Sequence, residues 1–269
     1  MEFCICWRGA RIRVTLTPGM ISAVHLSGPK ISITMNGRAY SLAEGKEVCD
    51  RTEEADTSKY KGVIFDLDGV LCHTDQFHYR AWKKIADELN IPFDESVNRR
   101  LRGVSRMESL EIILEKSTEK LTDERKQELA EEKNTYYREL LSEMTPSDML
   151  PSVREMLAFL REKGLKLAVG SSSKNAPYIL ERIDAEDAFD AVCDGTMITH
   201  SKPHPEVFLK AAEQLGLKPQ ECLVVEDAPA GLEAAKAAGM DCAVVGAGTW
   251  PMKPDFELGC ADELKKIFG

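Results

Sequence analysis

KGVIFDLDGV, residues 61–70, runs a short apolar strand straight into two carboxylates and a glycine. Asp66 ends the apolar run and Asp68 follows two residues on, so in extended backbone both side chains point to the same side. Gly69 lets the chain turn sharply away. Two acids this close do not both stay ionised comfortably unless a cation lies between them or one holds a proton. Phosphoryl transfer uses both solutions. Mg²⁺ offsets carboxylate and phosphate charge, one carboxylate attacks phosphorus, and the other shuttles protons. A turn with N-capping aspartates is the plain alternative; the preceding strand and following glycine weigh against it.

Downstream, short apolar runs alternate with helical stretches: LKLAVG (165–170), CLVV (222–225) and CAVVG (242–246). Continuous apolar strands separated by helices imply a parallel sheet covered on both faces. The expected class is α/β, a doubly wound (Rossmann-like) core over 61–72 and 146–269. Ligands of such sheets bind beyond the carboxyl ends of the strands, where Asp66, Ser171 and Glu226-Asp227 would meet. Residues 73–145 interrupt the alternation after the first strand and are almost entirely helical in pattern. They predict a helical cap over the crevice. Leu129, Tyr136, Leu140 and Met144 form its core-facing stripe, and Glu131, Glu132 and Lys133 its solvated face.

Glu226-Asp227 follows a buried strand and precedes the Ala-rich APAGLEAAKAAG. Asp227 suits a helix cap; with Asp66, the pair also suits a metal shell, and both readings can hold together. Ser171 opens the loop SSSKNAP before a helix, where a hydroxyl and backbone N–H groups make an anion site; a plain N-cap serine is the alternative. Lys202, in HSKPHPEVF, is either a phosphate-neutralising cation or a surface lysine.

Upstream, residues 1–43 read as a small β-module. Ile12, Val14 and Leu16 alternate with polar residues, as do Ile31, Ile33 and Met35, with turns at Pro18-Gly19 and Asn36-Gly37. The polar stretch 44–60 reads as a linker. A net charge of −10 argues against nonspecific nucleic-acid binding. The start MEFCICWRGA lacks the basic leader of a secretory signal, and no apolar run reaches membrane-span length. The eight cysteines are scattered without a CxxC pair, and several sit in apolar runs. Reduced thiols in a cytoplasm fit this usage.

FDLDG, a serine after the second strand, Lys-Pro and then Glu-Asp after a strand, in this order, resemble the haloacid dehalogenase superfamily over about 61–269. The resemblance implies Asp66 as nucleophile, Asp68 as general acid/base, and Ser171 and Lys202 as phosphate ligands. It implies Mg²⁺ held by Asp66, Asp68 through its backbone carbonyl, and Asp227, with Glu226 beside them. FDLDGVLCHTDQFHYRAWKKIADELNI, LRGVSRMESLEIIL and SSSKNAPYILERI further resemble the β-phosphoglucomutase family. That family interconverts β-D-glucose 1-phosphate and glucose 6-phosphate through an aspartyl-phosphate and bound β-glucose 1,6-bisphosphate. This likeness implies that Thr74 and His78 position Asp68, and that Trp82 with Gly103, Val104, Ser105 and Arg106 meets the sugar. Arg106 would clamp the phosphate not being transferred, a bidentate task suited to a guanidinium. Ser172, Lys174 and Asn175 would flank sugar and phosphate. Two positions depart from the pattern: Arg102 stands where lysine is usual, and Ser172 where alanine is expected.

WRGARIRVTLTPGMISAVHLSGPKISITMNGRAYSL resembles the small C-terminal β-domain of maltose phosphorylase-type disaccharide phosphorylases. Such enzymes release β-glucose 1-phosphate, which implies a functional link. The competing readings are a Mg²⁺-dependent sugar-phosphate phosphatase using the same aspartates, and a noncatalytic carbohydrate-binding module in the N-terminal segment.

Overall fold

The computed structural model describes residues 1–269 apart from 18–19, 36–37, 51–56, 102–103 and 118–119. It divides into two units, Met1–Asp56 and Thr57–Gly269. In the first, β1 (Glu2–Trp7), β2 (Ala10–Thr17), β3 (Met20–Ser27), β4 (Ile31–Met35), β5 (Arg38–Leu42) and β6 (Glu47–Asp50) are all antiparallel. One sheet has the order β1-β2-β3-β6, and β4 pairs with β5 separately. The alternating residues do what their period requires: Ile12, Val14, Ala23, Met35 and Leu42 make one small core. The two turn dipeptides lie outside the described residues, but the strands flanking each are paired. β6 is a difference from expectation. It falls inside the polar stretch 44–60, and pairing with β3 gives its backbone a place in the sheet that composition does not reveal.

The second unit runs β7 (Gly62–Phe65), α1 (Asp75–Glu88), α2 (Glu95–Arg99), α3 (Arg106–Leu114), α4 (Asp123–Leu141), α5 (Pro151–Glu162), β8 (Lys166–Gly170), α6 (Ala176–Arg182), β9 (Ala191–Cys193), α7 (Glu206–Leu215), β10 (Cys222–Glu226), α8 (Pro229–Ala237), β11 (Asp241–Val245), β12 (Phe256–Leu258) and α9 (Leu264–Phe268). The six strands form one parallel sheet in the order β12-β11-β10-β7-β8-β9. Its apolar runs divide by parity. Val63, Phe65, Leu167, Val169, Leu223 and Val225 enter one core with Met156, Leu160 and Ile179 of α5 and α6. Ile64, Ala168, Cys222, Val224 and Cys242 enter the other, with Phe208, Ala211 and Leu232 of α7 and α8. Both faces are covered, so the strands carry no polar alternation. The strand order reverses between β7 and β10, and a ligand crevice is expected at their carboxyl ends.

Helices α1–α4 lie between β7 and α5 in the chain and have their own core of Trp82, Ile85, Ala86, Leu110, Ile113 and Leu129. The buried stripe of α4 is Leu129, Ala130, Lys133, Tyr137, Leu140 and Leu141. This corrects two assignments. Tyr137 takes the place expected of Tyr136, which is half-buried, and Lys133 faces inward, away from the exposed Glu131 and Glu132. The reason is spacing: Lys133 is four residues from both Leu129 and Tyr137 and shares their face. Among the described residues no helix is long and apolar enough to cross a membrane. Cys72, Cys193, Cys222 and Cys242 are buried and all eight cysteines are free.

Candidate active site

At the carboxyl end of β7, the Asp66 N–H donates to the Val225 carbonyl at 2.9 Å, which holds the nucleophile candidate against β10. The next turn brings Asp68 round, with Gly69 at φ +84°. Gly69 is required twice over, because a Cβ there would also lie 2.0 Å from Asp227 Oδ2. Thr74 is the N-cap residue of α1, yet its hydroxyl makes no cap bond; it donates to Asp68 Oδ1 instead. Burial, then the neighbouring carboxylates of Asp66 and Asp75, push the Asp68 carboxyl up to about 8. Asp68 is therefore poised to hold and release a proton near neutrality.

Lys202 is a buried cation, not a surface lysine, at 1% exposure. Its Nζ donates to Asp66 Oδ1 at 2.5 Å and Glu226 Oε1 at 2.6 Å. Burial opposes its charge, but these two carboxylates outweigh burial and hold the ammonium above its usual range. The other oxygen of Glu226 accepts the N–H groups of Asp227 (2.9 Å) and Ala228 (2.8 Å). These bonds hold the turn that leads from β10 into α8, whose N-cap residue is Ala228. Asp66, Glu226 and Asp227 each offer a carboxylate oxygen within 4.8 Å of one another. An all-oxygen, anionic donor set of this kind fits a hard divalent cation.

Gly231 guards this arrangement. A Cβ there would lie 1.9 Å from the Glu226 carboxyl carbon, and Glu226 is itself buried among fixed partners. Gly231→Ala is expected to cost about 2–4 kcal/mol through overpacking and disturbance of the buried Lys202–Glu226 pair. Calorimetry should show a fall in Tm of about 5–15 °C. An unchanged melting point with full activity would contradict this packing.

The crevice is a cavity of about 530 Å³, a size suited to a small ligand. Its core wall carries Asp66, Asp68, Ser171, Ser172, Lys174, Asn175, Lys202 and Asp227; its cap wall carries His78, Trp82, Val104, Ser105 and Arg106. Thr74 and Glu226 are buried behind Asp68 and Lys202. Gly103, like Arg102, lies outside the described residues. Ser171 is not a helix cap. Its hydroxyl accepts the Ser173 N–H at 3.1 Å, and Asn175 is the N-cap residue of α6. The hydroxyl of Ser172 accepts the Lys202 N–H at 3.4 Å, so the departure from alanine ties two cavity loops together.

Ser105 caps α3 reciprocally with Glu108, which sets Arg106 at the first position of the helix. Arg106 does not pair with Glu108 or Glu111. Its guanidinium donates to Glu131 at 2.8 Å and Asn134 at 2.9 Å on α4. Asn134 also accepts from Asn175 Nδ2 at 2.9 Å, a direct bond between cap and core. His78 Nδ1 is 2.9 Å from Lys133 Nζ, and its ring is 4.1 Å from that of Tyr137. Burial, then the charges of Lys133 and Arg106, hold His78 well below its usual pKa. Burial, then Arg106, brings Lys133 down to about 7, against the opposing pull of Asp68. The sequence reading missed Lys133 and Asn134, both of which line the cavity. The stripe spacing from Leu129 to Tyr137 was the available signal for Lys133; Asn134 carried none.

Residues 60–239 match the family described as haloacid dehalogenase-like hydrolase, and residues 1–42 match the C-terminal domain of glycosyl hydrolase family 65. The chain is 46% identical over 190 residues to a Bacillus subtilis (strain 168) protein named β-phosphoglucomutase, covering 70% of this chain and 84% of that one. It is 37% identical over 184 residues to a phosphorylated carbohydrates phosphatase of Thermotoga maritima, covering 67% of this chain and 82% of the relative. A crystal structure of β-phosphoglucomutase from Clostridium difficile is similar with a TM-score of 0.73 and 36% identity, over 78% of this chain and 97% of that one. With its parallel sheet, strand-end aspartates and family match in agreement, this chain belongs to the haloacid dehalogenase-like hydrolase family and is an enzyme.

Proposed function

We propose that this chain is a β-phosphoglucomutase, interconverting β-D-glucose 1-phosphate and D-glucose 6-phosphate. The supporting observation is that one cavity is lined by cationic groups from both its core wall and its cap wall. Asp66, Ser171 and Lys202 lie on its core wall, and the guanidinium of Arg106 enters from the cap. A substrate with two phosphate positions has a partner for each.

Asp66 attacks phosphorus, forming its own P–O bond as the bond to the leaving sugar oxygen breaks. Asp68 gives that oxygen a proton and takes one from the attacking sugar hydroxyl in the return step. Lys202 and Ser171 hold the transferring phosphate, and Arg106 holds the other. The enzyme-bound β-glucose 1,6-bisphosphate turns over between the two transfers. Asp66, Asp68 through its backbone carbonyl, Asp227 and the adjoining Glu226 would hold Mg²⁺, which supplies charge neutralisation for carboxylate and phosphate. Trp82, Val104, Ser105, Ser172, Lys174 and Asn175 face the space left for the sugar. The similarity of residues 1–42 to a family 65 domain supports a link to disaccharide phosphorolysis that yields β-glucose 1-phosphate in the cytoplasm.

The rival is a sugar-phosphate phosphatase, a reading favoured by the Thermotoga maritima relative. Purified protein given β-glucose 1-phosphate, Mg²⁺ and a trace of bisphosphate distinguishes them. Glucose 6-phosphate is the expected product; inorganic phosphate without it would make the chain a phosphatase. Arg106→Ala is expected to lower kcat/KM of the mutase reaction by about 10²-fold or more, the cost of leaving a charged partner unpaired. Hydrolysis of a small ester such as p-nitrophenyl phosphate should change less than about threefold. Equal losses in both assays would refute the clamp.

A further inference from the structure

The loop that carries Lys202 presents a second group of donor atoms on its outer side. His200 and His204 flank Lys202 at two residues on each side, both exposed, and Glu206 begins α7. One ligand atom from each of the three lies within 4.8 Å of the others. His200 Nδ1 is 3.4 Å from Glu206 Oε2. That is the separation of two ligands each about 2.0–2.1 Å from one tetrahedral ion. The two imidazole rings are 4.6 Å apart at 34°.

The carboxylate is held in place before any ion arrives. Glu206 Oε2 accepts the N–H groups of Thr199 (3.0 Å) and His200 (2.9 Å), and Oε1 accepts from Lys210 at 2.8 Å. His204 Nδ1 accepts the Glu206 N–H at 3.3 Å. An ion therefore meets a pinned carboxylate and two imidazoles spaced four residues apart on one short loop, at little ordering cost. The donor set also differs in kind from the cavity acids. Two imidazole nitrogens and one carboxylate suit zinc, nickel or copper, whereas three carboxylates suit magnesium.

We propose that His200, His204 and Glu206 form a binding site for a divalent transition-metal ion of the zinc class, separate from the carboxylate site in the cavity. Three protein ligands leave a fourth position open to water or to an exchanging ligand. The assignment is independent of the mutase reading, since it uses no residue of the reaction.

The test is a Zn²⁺ titration of the untagged full chain against a chromophoric chelator, in saturating Mg²⁺ to occupy the cavity acids. Wild type should bind one equivalent of Zn²⁺ that His200→Ala and His204→Ala each weaken about tenfold or more, since each removes one of three ligands. Zinc bound by the exposed cysteines is common to all three proteins and cancels in the comparison. Both histidines are exposed, so the variants should melt as wild type does without Zn²⁺. In NMR spectra, Zn²⁺ should shift the ring protons of His200 and His204 and leave those of the half-buried His78 in place. The same Zn²⁺ isotherm for wild type and both variants, weakening in only one variant, or no shift of the two rings would overturn the site.

Discussion

Asp66→Asn is expected to abolish phosphoenzyme formation and lower turnover by at least about 10⁴-fold, the scale of losing a covalent nucleophile. The amide is nearly isosteric and can still accept from Lys202, which also keeps Glu226 as a partner at 2.6 Å. The fold should therefore survive, and the loss can be read as chemistry. Intact-protein mass spectrometry after quenching with acid, with β-glucose 1,6-bisphosphate as donor, should show a one-phosphoryl mass gain in wild type only. A phosphorylated Asp66→Asn protein would place the nucleophile elsewhere.

Removing the proton shuttle comes second in size. Asp68→Ala is expected to cost about 10²–10⁴-fold in turnover of sugar phosphates, the usual contribution of general acid–base catalysis. The environment supports the role: burial beside Asp66 and Asp75 pushes this carboxyl up to about 8, and Thr74 fixes its orientation. A sugar alkoxide is a poor leaving group and needs that proton, whereas p-nitrophenolate does not. The loss should therefore be much smaller in the single-turnover release of p-nitrophenolate, which precedes attack of water on the phosphoenzyme, than in turnover of β-glucose 1-phosphate. Equal losses for both substrates would reduce Asp68 to a structural residue.

Much of this was legible because the informative features were local. VIF into Asp66, LVV into Glu226 and LKLAVG into Ser171 each join an unbroken apolar strand to a polar residue, and a parallel sheet buried on both faces collects such ends in one crevice. Other features were misassigned because they depend on distant partners. Lys133 looked solvated beside two glutamates, yet helix geometry turns it inward against His78 and the ring of Tyr137. The strand β6 was hidden in a charged stretch because an edge strand needs a neighbour more than an apolar composition.

The DxD pair, the order of serine, lysine and acids after it, and the alternation of strand and helix follow from sequence alone, since each is a property of residues near one another in the chain. Tertiary structure decided which groups share a proton or a charge. Lys202 meets Asp66 across 136 positions, and Arg106 takes Glu131 and Asn134 in place of its near neighbours. Electrostatic partnership depends on distance in space and on burial, and neither is written in the spacing of a linear chain.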